Sequence, residues 1–155
     1  MKNGHRKGSA FERKVAKDLS LFVSKGKDAY IFERRTAGSG GAPRDKKGLS
    51  GETGDIFSIK EEGKKFLRDL SIECKFYKNL TNNFWRFMVT DSDKVFDDFV
   101  AQAQDTHKKY FLLIVKSNFS EILCITNKKN LCKGVSFWSK DGLFLFSFKI
   151  FEKFS

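Results

Sequence analysis

The sequence predicts a single α/β domain over residues 1–155, and three observations support this prediction. The length of 155 residues suits one domain. Apolar residues make up 40% of the chain and aromatic residues 15%, which is enough for a packed core. The helix-like and strand-like patterns follow the order α-β-β-β-α-β-β-β-β, which indicates one α/β domain.

The first half of the chain contains one predicted helix and three predicted strands. The helix covers 9–24, because Phe11, Val15 and Leu19 recur at helical spacing, and it follows a flexible basic arm at 1–8. The strands cover 29–34, 55–60 and 66–77, and a turn at 61–65 joins the last two. Residues 36–54 hold six of the twelve glycines and the only proline, so they predict a long flexible loop.

The second half continues the pattern with a helix and four strands. The helix starts at Thr90 or Ser92 and runs to about Lys108, with its apolar residues on one face. Gln102 and Gln104 on this helix either face DNA or are solvated surface, and solvated surface is the simpler interpretation. Strands are predicted at 110–116 and 121–126, followed by a C-terminal β-hairpin around Asp141-Gly142.

Composition and charge narrow the class of protein. The chain carries 30 Lys and Arg against 19 Asp and Glu, a net charge of +11 that indicates nucleic acid as the partner. The three cysteines form no C-x-x-C pair, which argues against a disulfide scaffold or zinc ribbon. No G-K-[ST] follows the G-S-G-G run at 38–41, so a nucleotide cofactor is unsupported. The charged N-terminus and the absence of a long apolar run predict a cytoplasmic protein, neither secreted nor bound to a membrane.

The tripeptide Glu73-Cys74-Lys75 carries the most informative chemistry. Chance alone gives about three [DE]-x-K matches in a chain of this composition. Four occur, beginning at Glu12, Asp45, Glu62 and Glu73, so only context separates them. In a strand alternate side chains share a face, so Glu73 and Lys75 point together, away from the apolar residues of the same strand.

Asp55, at the start of the preceding strand, supplies a second carboxylate. An antiparallel hairpin would place it opposite residues 71–73, within about 5–8 Å of Glu73. Two carboxylates this close favour a divalent cation, and oxygen ligands favour Mg²⁺ or Mn²⁺ over zinc. Lys75 would orient a water molecule or neutralise charge on a phosphate. The alternative is a solvated hairpin with a cross-strand salt bridge.

Glu12 lies in the middle of the apolar arc of the first helix. A carboxylate that faces a core is costly unless a metal or a donor receives it, which favours a functional role. Glu12 also fits the third position of a capping box that begins at Ser9, and both roles are compatible.

Four segments together resemble the PD-(D/E)xK nuclease superfamily, and within it the archaeal-type and phage Holliday junction resolvases. They are K-G-S-A-F-E-R-K-V-A-K-D-L at 7–19, E-R-R-T-A-G-S-G-G at 33–41, G-D-I at 54–56 and L-S-I-E-C-K at 70–75. The resemblance implies a restriction-endonuclease-like core with a mixed sheet flanked by helices. It also implies a homodimer that cuts branched DNA with Mg²⁺, in a prokaryotic, archaeal or phage-infected cell.

The resemblance also implies roles for individual residues. Asp55 and Glu73 would be the metal carboxylates, the backbone carbonyl of Cys74 a further metal ligand, Lys75 the catalytic lysine and Glu12 the helix-borne acid. Four residues would contact DNA: Lys7, Arg34, Arg35 and Ser39. Two features differ from the family pattern: Gly54 stands where a proline often precedes the aspartate, and an insertion lengthens the loop at 42–53.

The sequence therefore predicts a Mg²⁺-dependent, structure-selective DNA endonuclease, with the four-way junction as its first candidate substrate. One alternative is another PD-(D/E)xK endonuclease that acts on linear, flapped or restriction-site DNA. The other is a catalytically silent basic module that only binds DNA.

Overall fold

The computed structural model of the protein describes residues 2–35, 54–89, 93–118 and 120–155. The helices of these residues are α1 (Lys2–Val23), α2 (Glu61–Phe66), α3 (Thr81–Val89) and α4 (Lys94–Gln104), with 3-10 turns at Lys129–Cys132 and Phe148–Glu152. The strands are β1 (Phe32–Arg34), β2 (Ile56–Ser58), β3 (Leu70–Tyr77), β4 (Tyr110–Ser117), β5 (Leu123–Thr126), β6 (Trp138–Lys140) and β7 (Leu143–Ser147).

Within the described residues, five strands form one mixed sheet in the order β3-β4-β5-β7-β6. β3 and β4 are parallel, in a register that runs from Leu70 opposite Tyr110 to Tyr77 opposite Ser117, and the other neighbours are antiparallel. β1 and β2 form a separate antiparallel pair. The predicted α/β class, with a mixed sheet, flanking helices and a C-terminal hairpin, is confirmed.

Alternating side chains divide the core between the two faces of the sheet. Leu112 and Ile114 of β4 face the apolar stripe of α1, whereas Leu113 and Val115 face α3 and α4. This follows from the period of two in a strand. Both faces of β4 are therefore buried, as expected for a strand covered by helices on each side.

α1 is anchored to β1 by one buried hydroxyl group. Ser20 donates to the Ala16 carbonyl and accepts hydrogen bonds from the backbone N–H groups of Ile31 and Phe32. The helix begins at Lys2 rather than Ser9, so residues expected to form a flexible arm are helical. Because α1 continues from Lys2 through this segment, Ser9 and Glu12 lie inside the helix rather than at its cap.

The predicted hairpin between β2 and β3 is wrong. β2 pairs with β1, and the segment expected to form a turn is the helix α2. Its first turn is acidic and its last turn basic, and these charges stabilise the helix by interacting favourably with its dipole. Gly63 lets α2 pack closely, because a Cβ there would lie 2.7–2.9 Å from side chains of Ser58, Ile31 and Phe32.

The second half differs from the prediction at the ends of its elements. α3 was not predicted, because its Asn and β-branched residues have low helix propensity, and it forms by packing Phe87 against Phe96 of α4. The hairpin at Asp141-Gly142 is confirmed, with positive φ at both residues. None of the helices in the described part of the chain has the length and hydropathy of a membrane span.

Candidate active site at the outer edge of β3

Asp55 lies against the outer edge of β3, on the side away from β4. Its backbone N–H donates to the Ile72 carbonyl at 2.8 Å, and its Oδ2 accepts from the Cys74 N–H at 2.8 Å. The N–H and C=O of one strand residue point to the same side, so the Cys74 carbonyl also faces this edge. The sequence thus predicted the right neighbours for Asp55 through the wrong pairing, since the bridge of Gly54 to Ile72 is parallel.

Gly54 makes this close approach possible. Its φ is +92°, and a Cβ there would lie 2.8 Å from the Ser71 Oγ and closer still to the Ile72 carbonyl oxygen. Proline has a φ near −65°, so it could not adopt this backbone. The glycine that replaces the usual proline is therefore required by the conformation of this chain.

Arg35 fixes the backbone that carries Asp55. Its N–H donates to the Asp55 carbonyl at 2.6 Å and its Nε donates to the Gly54 carbonyl at 3.0 Å. Its guanidinium group also lies 5.9 Å from the ring centre of Phe57. Arg35, which the resemblance predicts as a DNA contact, thus positions the Asp55 backbone in this structure.

Glu12 reaches the same edge from α1. Its Oε2 lies 3.7 Å from Nη1 of Arg34, and both side chains are about three-quarters buried. Burial raises the pKa of the Glu12 carboxyl above its usual value and the Asp55 charge raises it further, whereas Arg34 and Arg13 lower it. The two carboxylates are therefore close enough to repel each other.

The Cys74 thiol is buried and is affected by the charges of three carboxylates. Burial raises its pKa well above the usual range, and the charges of Asp55, Glu12 and Glu73 raise it further. Glu73 itself is half-buried, on the face of β3 opposite Cys74. Glu73 and Cys74 therefore lie on opposite faces of the strand whose edge Asp55 contacts.

Lys75 lies two residues after Glu73, on the same face of β3, and this face is turned towards α4. Its Nζ donates to Oε1 of Gln102 at 2.7 Å and lies 5.8 Å from the ring centre of Phe99. From the sequence alone Gln102 could not be told from Gln104, since only the packing of α4 on β3 selects one of them. Ser71 lies on the same strand, and its Oγ is fully buried and has no hydrogen-bond partner among the described residues.

The other predicted DNA contacts are less informative. Lys7 is exposed on α1, about 7.5 Å along the helix axis from Glu12. Ser39 and the insertion at 42–53 lie outside the described residues. Within the described ranges, no group of three or more His, Cys, Asp or Glu side chains is gathered as a metal site.

The mixed five-stranded sheet flanked by helices is consistent with a restriction-endonuclease-like fold, and Asp55 lies at the outer edge of its strand β3. Residues 3–141 match the model of a protein family described as "Phage putative PDDEXK endonuclease". Because the match covers most of the chain, the chain belongs to this family of PD-(D/E)xK nucleases. The superfamily predicted from the motifs is confirmed, and the resolvase subtype stays a prediction. No curated protein and no solved structure is significantly similar to the chain.

Proposed function

We propose that the protein is a divalent-metal-dependent DNA endonuclease that prefers branched DNA, the four-way junction first. The observation that carries this proposal is the hydrogen bond from the Cys74 N–H to Asp55, which brings this carboxylate to the strand that carries Glu73 and Lys75. Clustered carboxylates offer nothing to a module that only binds phosphate. They are useful where a cation and a phosphodiester meet.

The donor set at this edge fits Mg²⁺ or Mn²⁺. All of its candidate ligands are oxygen atoms: the Asp55 and Glu73 carboxylates and the Cys74 carbonyl. Mg²⁺ is usually held by one or two carboxylates plus water, so a three-residue cage is not required. When bound, such an ion would polarise the phosphodiester and make a nearby water easier to deprotonate.

Side chains of the protein carry out charge neutralisation, proton transfer and DNA binding. Lys75 neutralises charge that develops on the phosphate or orients the water. Glu12, with its raised pKa, is suited to accept or return a proton near this edge. Arg34 and the basic surface bring the DNA backbone to the site, because the chain carries a net charge of +11. A second copy of the chain would supply the second cut that a junction requires.

The test of this function is a cleavage assay on matched substrates. A labelled four-way junction, a flap and a linear duplex with the same arms are incubated with Mg²⁺, Mn²⁺ or EDTA. We expect paired cuts in the junction, at least about tenfold faster than in the duplex, and no cutting in EDTA. Size-exclusion chromatography with light scattering measures whether a dimer is present.

Each other result points to a different function. Equal rates on the duplex or the flap would replace the junction with another endonuclease substrate. Cleavage that persists in EDTA would contradict the metal requirement. Binding without cleavage of any substrate would support the catalytically silent module.

A further inference from the structure

Lys75 is held by two side chains of α4 that lie one helical turn apart. Nζ of Lys75 donates to Oε1 of Gln102 at 2.7 Å and lies 5.8 Å from the ring centre of Phe99. Residues three apart lie on the same side of a helix, so α4 presents the amide and the ring together. We propose that Gln102 is the positioning residue that fixes the Lys75 ammonium for DNA cleavage, an inference that rests on the proposed function.

The rest of the structure holds α4 firmly where this contact forms. Asp93 caps the helix by accepting hydrogen bonds from the N–H groups of Val95 and Phe96, and Asn83 and Arg86 of α3 bind its carboxylate. The ring of Phe96 stacks on that of Phe87, 5.3 Å away. The acceptor for Lys75 is therefore carried by an element with its own buried anchors.

Phe99 of α4 also contacts β3, next to Lys75. Its ring packs edge-on against Tyr77, at 6.1 Å, and Tyr77 follows Lys75 on the same face of β3. Lys75 thus extends along an aromatic surface towards the Gln102 amide. A long, flexible lysine side chain gains most from such guidance, because it otherwise samples many rotamers.

The chemistry of glutamine suits a positioning role. A neutral amide oxygen accepts a hydrogen bond from an ammonium group and leaves its full positive charge available. A carboxylate at this place would form an ion pair and compete with the phosphate for Lys75. Gln102 and a glutamate of the same size should therefore differ in activity although both can hold the lysine.

The first experiment compares Gln102→Ala with Gln104→Ala in the full-length protein, using the labelled DNA substrate and Mg²⁺. Both glutamines are exposed on α4, so the two variants make the same chemical change on the same helix. We expect Gln102→Ala to lower kcat about tenfold at unchanged KM, and Gln104→Ala to stay within about twofold of the wild type. Equal kcat in Gln102→Ala and the wild type, or an equal loss in Gln104→Ala, would overturn the assignment.

Gln102→Glu separates positioning from a merely structural contact. We expect its kcat to fall at least as far as that of Gln102→Ala, with unchanged thermal stability, because the carboxylate neutralises the lysine that it holds. Full activity of Gln102→Glu would show that Lys75 does not need a neutral acceptor at this position, and would overturn the proposal.

A spectroscopic measurement tests the contact without any cleavage. The ¹H–¹⁵N NMR signal of the Lys75 ammonium, identified by its loss in Lys75→Arg, requires a fixed acceptor that slows proton exchange. We expect the signal in the wild type and in Gln104→Ala, and its loss in Gln102→Ala. Persistence of the signal in Gln102→Ala would overturn the inference. A wild type that shows the signal but cuts no DNA would instead contradict the proposed function.

Discussion

Gly54 is the residue on which the geometry of the candidate site depends most. It brings Asp55 against β3 with a φ of +92°, at a point where a Cβ would strike the Ile72 carbonyl. Both the positive φ and the close approach exclude a side chain. The positive φ and the close contact with β3 therefore explain why residue 54 is a glycine.

The first prediction concerns Gly54→Ala. The left-handed backbone and the clash together should lower the free energy of unfolding by at least about 2 kcal/mol, measured by urea denaturation. Gly134→Ala is the control: its φ is +83° but a Cβ there meets nothing within 4 Å, so we expect a loss of about 1 kcal/mol. Equal losses in the two variants would contradict the close approach at Gly54.

Glu12 is a residue whose charge the folded protein disfavours. Its pKa is raised by burial first and by the Asp55 charge second. A raised pKa means that the folded state binds the proton more tightly than the unfolded state does. Stability from this proton is present below the usual pKa of 4.5 and is lost as the pH rises through the folded value.

The second prediction follows for Glu12→Gln, measured in EDTA. At pH 7–8 the variant should be at least as stable as the wild type, and any advantage should disappear as the pH falls below about 4.5. DNA cleavage in Mg²⁺ should nevertheless be lost, which is the trade-off expected of a functional carboxylate. Glu62→Gln, at an exposed position of α2, should change neither property. A Glu12→Gln variant that is clearly less stable at pH 7 would indicate that the Arg34 ion pair is mainly structural.

At the scale of elements, α1 is held to the last 3-10 turn by a small charged network. Lys14 donates to Asp18, whose carboxylate is almost fully buried, and to Glu152 at 2.6 Å. The Ser155 hydroxyl donates to the other oxygen of Asp18 at 2.7 Å. Because α1 also carries Glu12, this network helps to set where that carboxylate lies.

The third prediction concerns Lys14→Met. Removal of the ammonium leaves the buried Asp18 carboxylate poorly satisfied and should lower the free energy of unfolding by about 2 kcal/mol. Lys17→Met, at an exposed position on the same helix, should change it by less than about 0.5 kcal/mol. Adding Asp18→Asn to Lys14→Met should recover part of the loss. Additive losses in the double variant would contradict a coupled network.

The elements also show where sequence reasoning succeeds and fails. The alternation of β3 correctly separates Glu73 and Lys75 from Leu70, Ile72 and Cys74, because burial on two faces enforces a period of two. The pairing of β2 was predicted wrongly, because strand partners depend on long-range contacts with β1. α2 and α3 were missed because tertiary packing at Gly63 and Phe87 outweighs their local propensity.

At the scale of the whole molecule, the net charge bears on DNA binding, whereas the candidate site depends on a few acidic residues. The net charge of +11 predicts a polyanion as partner and says nothing about catalysis. The acidic residues whose charges act on the Cys74 thiol come from α1, from the segment before β2 and from β3 itself. The motifs that contain these acidic residues can be found in the sequence. The hydrogen-bond acceptor of Lys75 cannot, because Gln102 reaches Lys75 only through the packing of α4 on β3.

The most direct measurement compares DNA cleavage and DNA binding in Asp55→Asn, Glu73→Gln and Glu62→Gln. The control Glu62 belongs to the tripeptide Glu62-Gly63-Lys64, which has the same [DE]-x-K pattern but lies in α2. We expect Asp55→Asn and Glu73→Gln to cut at least about a thousandfold more slowly in Mg²⁺ while binding DNA as the wild type does, and Glu62→Gln to keep full activity. Retained cleavage by both Asp55→Asn and Glu73→Gln would contradict an active site at the edge of β3.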